Sequence, residues 1–186
     1  MSIIDEIKSY APCCEQEARD KAVILDYLER NPGAFSRDDL IAHMTASAWI
    51  VNGERTKVVM VYHRIYDSWS WTGGHADGEE DLLAVALREA REETGLREVR
   101  VISPGIFSLE VLTVEGHEKR GAYVPSHLHL NLTYLLEADE SEELRPCEEE
   151  NAGVRWFKLD EALAASTEPW FVERIYKKLN DKLKKA

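Results

Sequence analysis

The sequence predicts an α/β fold, and three features of the chain support this prediction. The segment from Glu79 to Thr94 is rich in helix-forming residues and contains neither proline nor glycine. Segments with strand-like patterns lie on both sides of this predicted helix. A second helix is predicted from Glu168 to Lys185, because lysines gather at its end, where the helix dipole favours positive charge. Strands around a central helix, with a helix closing the chain, indicate an α/β sandwich.

Residues 1–42 are predicted to form a helical extension ahead of the main domain. From Glu15 to Arg30, apolar residues recur at helical spacing. A pattern similar to a capping box predicts a second, short helix over Ser36–Ile41. We expect the extension to pack on the main domain, residues 43–186, although a role in dimerisation or in capping a substrate site stays open.

The main domain contains four predicted strands, separated by turn-forming residues. They are Met44–Val51, Lys57–His63, His127–Leu136 and Val154–Leu159. The third strand alternates polar and apolar residues, so its polar side chains share one face. These polar residues are His127, His129, Asn131 and Thr133.

The remaining segments of the main domain are predicted to be extended or irregular. Arg97–Leu112 is largely extended, apart from a Pro-Gly break. Tyr66–Thr72, which contains two tryptophans, and Val114–Ser126 are predicted to be loops. Glu137–Glu150 holds eight acidic residues in fourteen, which indicates an exposed loop.

Composition and charge exclude several classes of protein. The chain has 186 residues, a net charge of −12 and a pI of about 5.0. This acidity argues against dedicated binding of nucleic acids or anionic membranes, since both need basic patches. Three cysteines, two of them adjacent, give neither a disulfide framework nor zinc-ligand spacing, so a reducing cytoplasm is expected. Neither a signal peptide nor a membrane-spanning apolar run is predicted.

The predicted central helix carries a cluster of carboxylates. Glu89, Glu92 and Glu93 are spaced i, i+3 and i+4, so they share one face within a single turn. Like charges at this spacing repel each other by roughly a few tenths of a kcal/mol per pair. A Mg²⁺ or Mn²⁺ ion would relieve the repulsion, because hard cations bind carboxylate oxygens.

The spacing of residues around this helix resembles the Nudix box. The matching residues are Gly74, Glu80, Arg88, Glu89, Glu92, Glu93, Gly95 and Leu96. The one mild departure is Ala90, which stands where the family has a bulkier apolar residue. The resemblance implies a Nudix-type α/β/α sandwich with a mixed sheet over residues 43–186, with the N-terminal extension outside it.

The resemblance also implies an activity and a set of site residues. Nudix enzymes hydrolyse the pyrophosphate linkage of a nucleoside diphosphate linked to another moiety, with Mg²⁺ or Mn²⁺ as cofactor. Glu89, Glu92 and Glu93 correspond to metal-binding glutamates, and Glu89 is a candidate base. Gly73 belongs to a Gly-Gly turn that allows backbone to approach the metal closely. Glu80 and Arg88 correspond to structural members of the box.

A fourth carboxylate is expected from outside the helix. Glu150 precedes Trp156 by six residues, a spacing at which family members often carry a glutamate that reaches the metals or acts as base. Glu148 and Glu149 are near alternatives, and a merely solvated acidic loop remains an equal alternative.

Three residues are candidates for contacts with substrate. Trp69 and Trp71 offer flat rings for stacking on a base or another planar group, although packing in the core or a lid explains them equally well. His75 lies in the box loop and is a candidate phosphate contact. His127 and His129 share a strand face and would suit a metal pair, although exposure to solvent or ordinary hydrogen bonding is commoner.

Two other functions on the same fold are weighed against hydrolysis. An isomerase acting on a diphosphate would need a cysteine near the loop ahead of the box, and Val61–Gly78 contains none. A non-catalytic nucleotide sensor would be expected to lose box glutamates, which are all present here. Residues 111–113 carry neither the proline nor the tyrosine that marks two substrate groups of the family, so the sequence leaves the substrate open. It also leaves a homodimer open.

Overall fold

The computed structural model describes residues 2–119 and 121–185 and has the predicted α/β architecture. The strands are β1 (Ala42–Val51), β2 (Lys57–His63), β3 (Ser68–Ser70), β4 (Thr72–His75), β5 (Val99–Val101), β6 (Ser108–Val114), β7 (His117–Lys119), β8 (Ala122–Val124), β9 (His127–Ala138) and β10 (Asn151–Lys158). The helices are α1 (Ile3–Ser9), α2 (Glu15–Arg30), α3 (Leu82–Thr94), α4 (Leu159–Ala165), α5 (Pro169–Phe171) and α6 (Lys177–Leu183), with a π-helical turn at Val172–Tyr176. Within the described residues, no helix is both long and apolar enough to cross a membrane.

Eight of the ten strands found in the described residues belong to one mixed sheet. Its main path is β10-β2-β1-β9-β5, while β3 pairs with β2, β4 with β1, and β6 with β9. The remaining two strands, β7 and β8, pair as an antiparallel hairpin. All ten residues of β1 are buried, including the polar residues that alternate with apolar ones from Ala42 to Ala48. Thr45 and Ser47 donate hydrogen bonds to the Asn131 side chain of β9, which compensates for their burial.

The chain forms two compact units, and β1, β4, β9 and α3 contribute residues to both. Unit 1 comprises Met1–Ser47, Gly74–Val85 and Pro104–Tyr134, and unit 2 comprises Ala48–Gly73, Ala86–Ser103 and Leu135–Ala186.

In unit 1 the N-terminal helices pack on the strands. α1 packs against α2, and α2 packs against β6, which pairs antiparallel with β9. Ile7 and Ile24 are fully buried, and Leu28 is 5% exposed. The two helices therefore contribute to the apolar core of unit 1.

A buried polar network also joins α2 to β6 in unit 1. Glu17 on α2 and Glu110 on β6 are both fully buried. The Glu17 carboxylate accepts hydrogen bonds from the Tyr10 hydroxyl at 2.7 Å and the Ser108 hydroxyl at 2.9 Å. Glu110 accepts from Thr133 on β9 at 3.0 Å. These bonds compensate for removing two carboxyl groups from water.

In unit 2 the strand β2 pairs antiparallel with three strands, β10, β3 and the end of β1 at Val51. Val61 is opposite Val154 of β10 and Ser70 of β3. Helix α4 packs against β10 and β2. The core contains Trp49, whose ring stacks on Tyr176 with a centroid distance of 5.4 Å.

The structure differs from the sequence-based expectation in several local elements. The helix predicted at Ser36–Ile41 is wrong, because the Asp39 carboxylate instead accepts bonds from the Ile41 and Ala42 backbone and holds a turn. The predicted loop 66–72 contains β3, and the predicted loop 114–126 contains the β7–β8 hairpin. α4 was not predicted, and the C-terminal helix is interrupted by the π-helical turn.

Candidate active site

The carboxylate cluster of α3 differs in exposure from one residue to the next. Glu93 is 5% exposed, the Glu89 side chain is 15% exposed, and Glu92 is exposed. All three belong to unit 2, at the C-terminal end of α3. Helical periodicity therefore places them on one face, and packing around the helix buries them to different depths.

Glu93 is held by groups from two strands. Its Oε2 accepts a hydrogen bond from the Gly73 backbone N–H at 2.8 Å, at the start of β4. Its Oε1 accepts one from the Asn151 side-chain Nδ2 at 2.9 Å, at the start of β10. Burial nevertheless raises the pKa of Glu93 to about 8, and the neighbouring carboxylates of Glu89 and Glu150 also raise it. Gly73 therefore lies directly beside the carboxylate cluster.

Glu89 lies in a partly buried position beside a cation. Its Oε1 is 2.9 Å from Nη2 of Arg88. Burial raises the pKa of Glu89, the Arg88 guanidinium opposes this, and the Glu92 and Glu150 carboxylates raise the pKa further. A carboxylate with a raised pKa is a stronger base than an exposed one, which suits proton abstraction.

Glu150 lies in the turn that leads into β10, and its side chain is exposed. Its backbone carbonyl accepts a hydrogen bond from Arg64 N–H at 3.3 Å, and its own N–H donates to the Cys147 carbonyl at 3.1 Å. The Glu150 carboxylate is close enough to raise the pKa of both Glu89 and Glu93. Unit 2 thus brings the loop carboxylate into the electrostatic environment of the helix carboxylates.

Asn151 lies beside Glu93 in the candidate site, and the sequence did not predict this position. It is fully buried, and its Oδ1 has no hydrogen-bond partner within the described part of the chain. In the sequence, only its position directly after Glu150 points to it. Nothing in the neighbouring residues indicates that its amide reaches a glutamate 58 positions away.

The donor set suits a hard divalent cation. The groups that would hold it are the carboxylates of Glu89, Glu92 and Glu93, with Glu150 nearby and the unpartnered Asn151 Oδ1 beside Glu93. All of these donors are oxygen atoms, the type that Mg²⁺ and Mn²⁺ prefer. A cation would also reduce the repulsion that raises the pKa of Glu89 and Glu93.

The two candidate stacking residues occupy different environments in unit 2. Trp71 is 7% exposed and its ring meets those of Phe171 and Tyr176 edge-on, so it packs in the core. Trp69 is only partly buried and lies against Phe157, with the Arg155 guanidinium 5.4 Å from its ring centroid. Trp69 therefore keeps some surface for a ligand, whereas Trp71 has little.

His75 lies in unit 1, within a group of four histidines. Its ring centroid is 5.0 Å from that of His43 and 4.9 Å from that of His129, and His127 completes the group. Burial lowers the pKa of His129 to about 2, so this imidazole is neutral at physiological pH.

Comparison with known proteins establishes the family. The model of the NUDIX domain matches residues 42–179, and the chain therefore belongs to the Nudix family. This confirms the resemblance inferred from the helix and its flanking glycines.

Curated relatives match over shorter stretches. The chain is 45% identical over 56 residues, 28% of its length and 27% of the relative's, to a CMP-5′-(N-acetyl-N-hydroxy-3-aminopropyl)phosphonate hydrolase of Streptomyces rubellomurinus. It is 32% identical over 96 residues, 50% of its length and 58% of the relative's, to the asymmetrical bis(5′-nucleosyl)-tetraphosphatase of Mus musculus. The matched part of the chain thus spans about a quarter of the length of the first relative and about three fifths of the length of the second.

Solved structures support the fold. An Ap4A hydrolase from C. elegans superposes with a TM-score of 0.51 at 15% identity, over 76% of this chain and 95% of the other. At this level of identity the likeness concerns the fold, and it confirms the α/β class with helices flanking a mixed, curled sheet.

Proposed function

We propose that this protein is a divalent-cation-dependent hydrolase that cleaves the pyrophosphate linkage of a nucleoside diphosphate joined to another moiety. The observation that carries the proposal is the cluster of Glu89, Glu92 and Glu93 in unit 2, with Glu93 buried and held from two strands. Membership of the Nudix family and the names of the two curated relatives, both hydrolases of nucleotide compounds, support it.

The residues of the cluster have separable tasks in this proposal. The Gly73 N–H and the Asn151 amide hold Glu93 in place, so that its carboxylate needs no reorganisation when it binds a cation. Glu89 is the candidate base that accepts a proton from the attacking water. Arg88 restrains the Glu89 side chain through their ion pair. A bound Mg²⁺ or Mn²⁺ would neutralise phosphate charge and lower the pKa of water.

The test is a panel of nucleotide substrates assayed with Mg²⁺ and with excess chelator. A dinucleoside tetraphosphate and a CMP-phosphonate conjugate belong in the panel, because they correspond to the named relatives. Glu89→Gln is expected to lower turnover of the best substrate at least about 100-fold, roughly 3 kcal/mol. The matched control is Glu143→Gln, whose side chain is 72% exposed and paired with Arg145. Full turnover in chelator, or an active Glu89→Gln variant, would contradict the proposal.

A further comparison tests the assignment of Glu150. Glu150→Gln is expected to lower turnover strongly and to leave substrate affinity within a few-fold, because the residue approaches the helix carboxylates from a different element. Glu148→Gln and Glu149→Gln are the controls, because each removes the same charge from a neighbouring position. If either neighbour alone proves essential, the spacing from Trp156 selected the wrong residue. If all three variants are fully active, this segment is only a solvated surface.

The same panel separates hydrolysis from the two other functions. A same-fold isomerase would rearrange a diphosphate without releasing phosphate, and a nucleotide sensor would bind without turnover. Stacking by Trp69 or Trp71, a phosphate contact by His75, a cytoplasmic location and a homodimer stay predictions.

A further inference from the structure

Unit 1 contains a histidine cluster drawn from three strands. His43 belongs to β1, His75 ends β4, and His127 and His129 belong to β9. Each residue offers one ring nitrogen, and these four nitrogens all lie within 4.8 Å of one another. We call His43, His75, His127 and His129 the histidine cluster.

Backbone carbonyls fix the orientation of two of the rings. The Nδ1 atom of His43 is 2.9 Å from the Asp39 carbonyl oxygen, and Nδ1 of His127 is 2.8 Å from the Pro125 carbonyl oxygen. A carbonyl only accepts hydrogen bonds, so each Nδ1 carries the proton and each neutral ring keeps a lone pair on Nε2. The same arrangement, with one ring nitrogen donating to a carbonyl, orients histidine ligands in metal sites.

The lone pairs face the interior of the cluster. Nε2 of His127 is 3.1 Å from Nε2 of His129 and accepts a hydrogen bond from it, so His129 would bind an ion through Nε2 in its other tautomer. His43 is only 4% exposed, and its Nε2 has no hydrogen-bond partner among the described residues. An acceptor buried without a partner costs free energy, on the order of 1–3 kcal/mol, which a bound ion would recover.

We propose that the histidine cluster binds a zinc ion. Neutral imidazole is a preferred ligand of Zn²⁺, whereas Mg²⁺ prefers oxygen, so the cluster differs in metal preference from the carboxylates of unit 2. Four nitrogens arranged tetrahedrally at about 2.0 Å from zinc lie about 3.3 Å apart. The four ring nitrogens now lie within 4.8 Å of one another, and small side-chain rotations would bring them to the separation that zinc requires. With four protein ligands the site would be closed, and it would tie β1, β4 and β9 together within unit 1.

The first experiment measures zinc binding by the chelator-stripped protein. Competition with a chromophoric chelator is expected to show one tightly held equivalent of Zn²⁺, and X-ray absorption is expected to show nitrogen ligands at about 2.0 Å. Zinc is also expected to raise the melting temperature, because it binds the folded state preferentially. Absence of saturable binding, or sulfur ligation by the free cysteines, would overturn the proposal.

Variants identify the ligands. His129→Ala and His43→Ala are each expected to weaken zinc binding at least about 10-fold and to abolish the rise in melting temperature. The matched controls are His117→Ala and His63→Ala, which change the two histidines outside the cluster and are expected to bind zinc normally. Circular dichroism of the metal-free variants shows whether each one folds. Normal zinc affinity in a folded His129→Ala variant and a folded His43→Ala variant would place the ion elsewhere. Glu89→Gln is expected to bind zinc normally, because Glu89 is not a member of the histidine cluster. The zinc measurements therefore test the histidine cluster independently of the hydrolase proposal.

Discussion

At the scale of single residues, Glu93 is an ionisable group that the fold buries. Its ordinary pKa is 4.5, and in the fold burial raises it to about 8. Between these values the folded state binds more protons than the unfolded state, so the free energy of unfolding falls as pH rises. The stabilising contribution is complete below about pH 4.5 and is lost as pH rises through about 8.

We therefore expect the stability of the metal-free protein to fall by an amount on the order of a few kcal/mol between pH 5 and pH 9, in part because of Glu93. Glu93→Gln should flatten this slope, since glutamine stays neutral. Rotation of the Asn151 amide would let its unpartnered Oδ1 accept a hydrogen bond from the new side chain. Urea unfolding at a series of pH values measures the effect. Identical slopes for both proteins would show that Glu93 ionises normally.

At the scale of elements, the end of α3 depends on a glycine. Gly95 has φ +73°, the left-handed conformation that ends many helices. A Cβ atom here would lie 2.9 Å from Cβ of Arg145 and 3.1 Å from its backbone nitrogen. The Arg145 N–H also donates to the Thr94 carbonyl at 2.7 Å, so the crowding segment is held against the helix end.

Gly95→Ala is accordingly expected to destabilise the protein by about 2 kcal/mol or more, through backbone strain and the contact with Arg145. Gly53→Ala is the matched control in unit 2, because a Cβ there meets nothing within 4 Å. Denaturant midpoints of the two variants measure the difference. Equal stability of both variants would mean that the segment around Arg145 moves aside at little cost.

At the scale of the whole molecule, the N-terminal helices either unfold together with the rest of the chain or behave as an independent appendage. Ile24 on α2 is fully buried, whereas the adjacent Val23 is 47% exposed. If the helices are integral, Ile24→Ala should lower the free energy of global unfolding by about 2–5 kcal/mol, while Val23→Ala should cost well under 1 kcal/mol. Thermal or urea unfolding followed at the tryptophans, all of which lie outside residues 1–42, measures the global transition. An unchanged transition in Ile24→Ala would identify the extension as an independent appendage.

The sequence alone predicted those features that depend on neighbours in the chain. The helix α3, its three glutamates on one face and its glycine end follow from spacing within a few residues. The alternation of β9 likewise predicted its two faces, and the box residues identified the family that the comparison confirmed. The turn at Asp39 was missed because a side chain there competes with the helix for backbone hydrogen bonds.

Tertiary structure alone decided what depends on distant partners. The short strands β3, β7 and β8 are a separate case, because their partners are near in the chain but three residues are too few for an alternating pattern to reveal a strand. Burial raises the pKa of Glu93, and the hydrogen bonds from Gly73 and Asn151, which are 20 and 58 positions away, oppose that rise. The histidine cluster likewise joins residues of three strands. Burial, electrostatic coupling and ligand geometry act through space, so the sequence specified these side chains while the fold determined their chemistry.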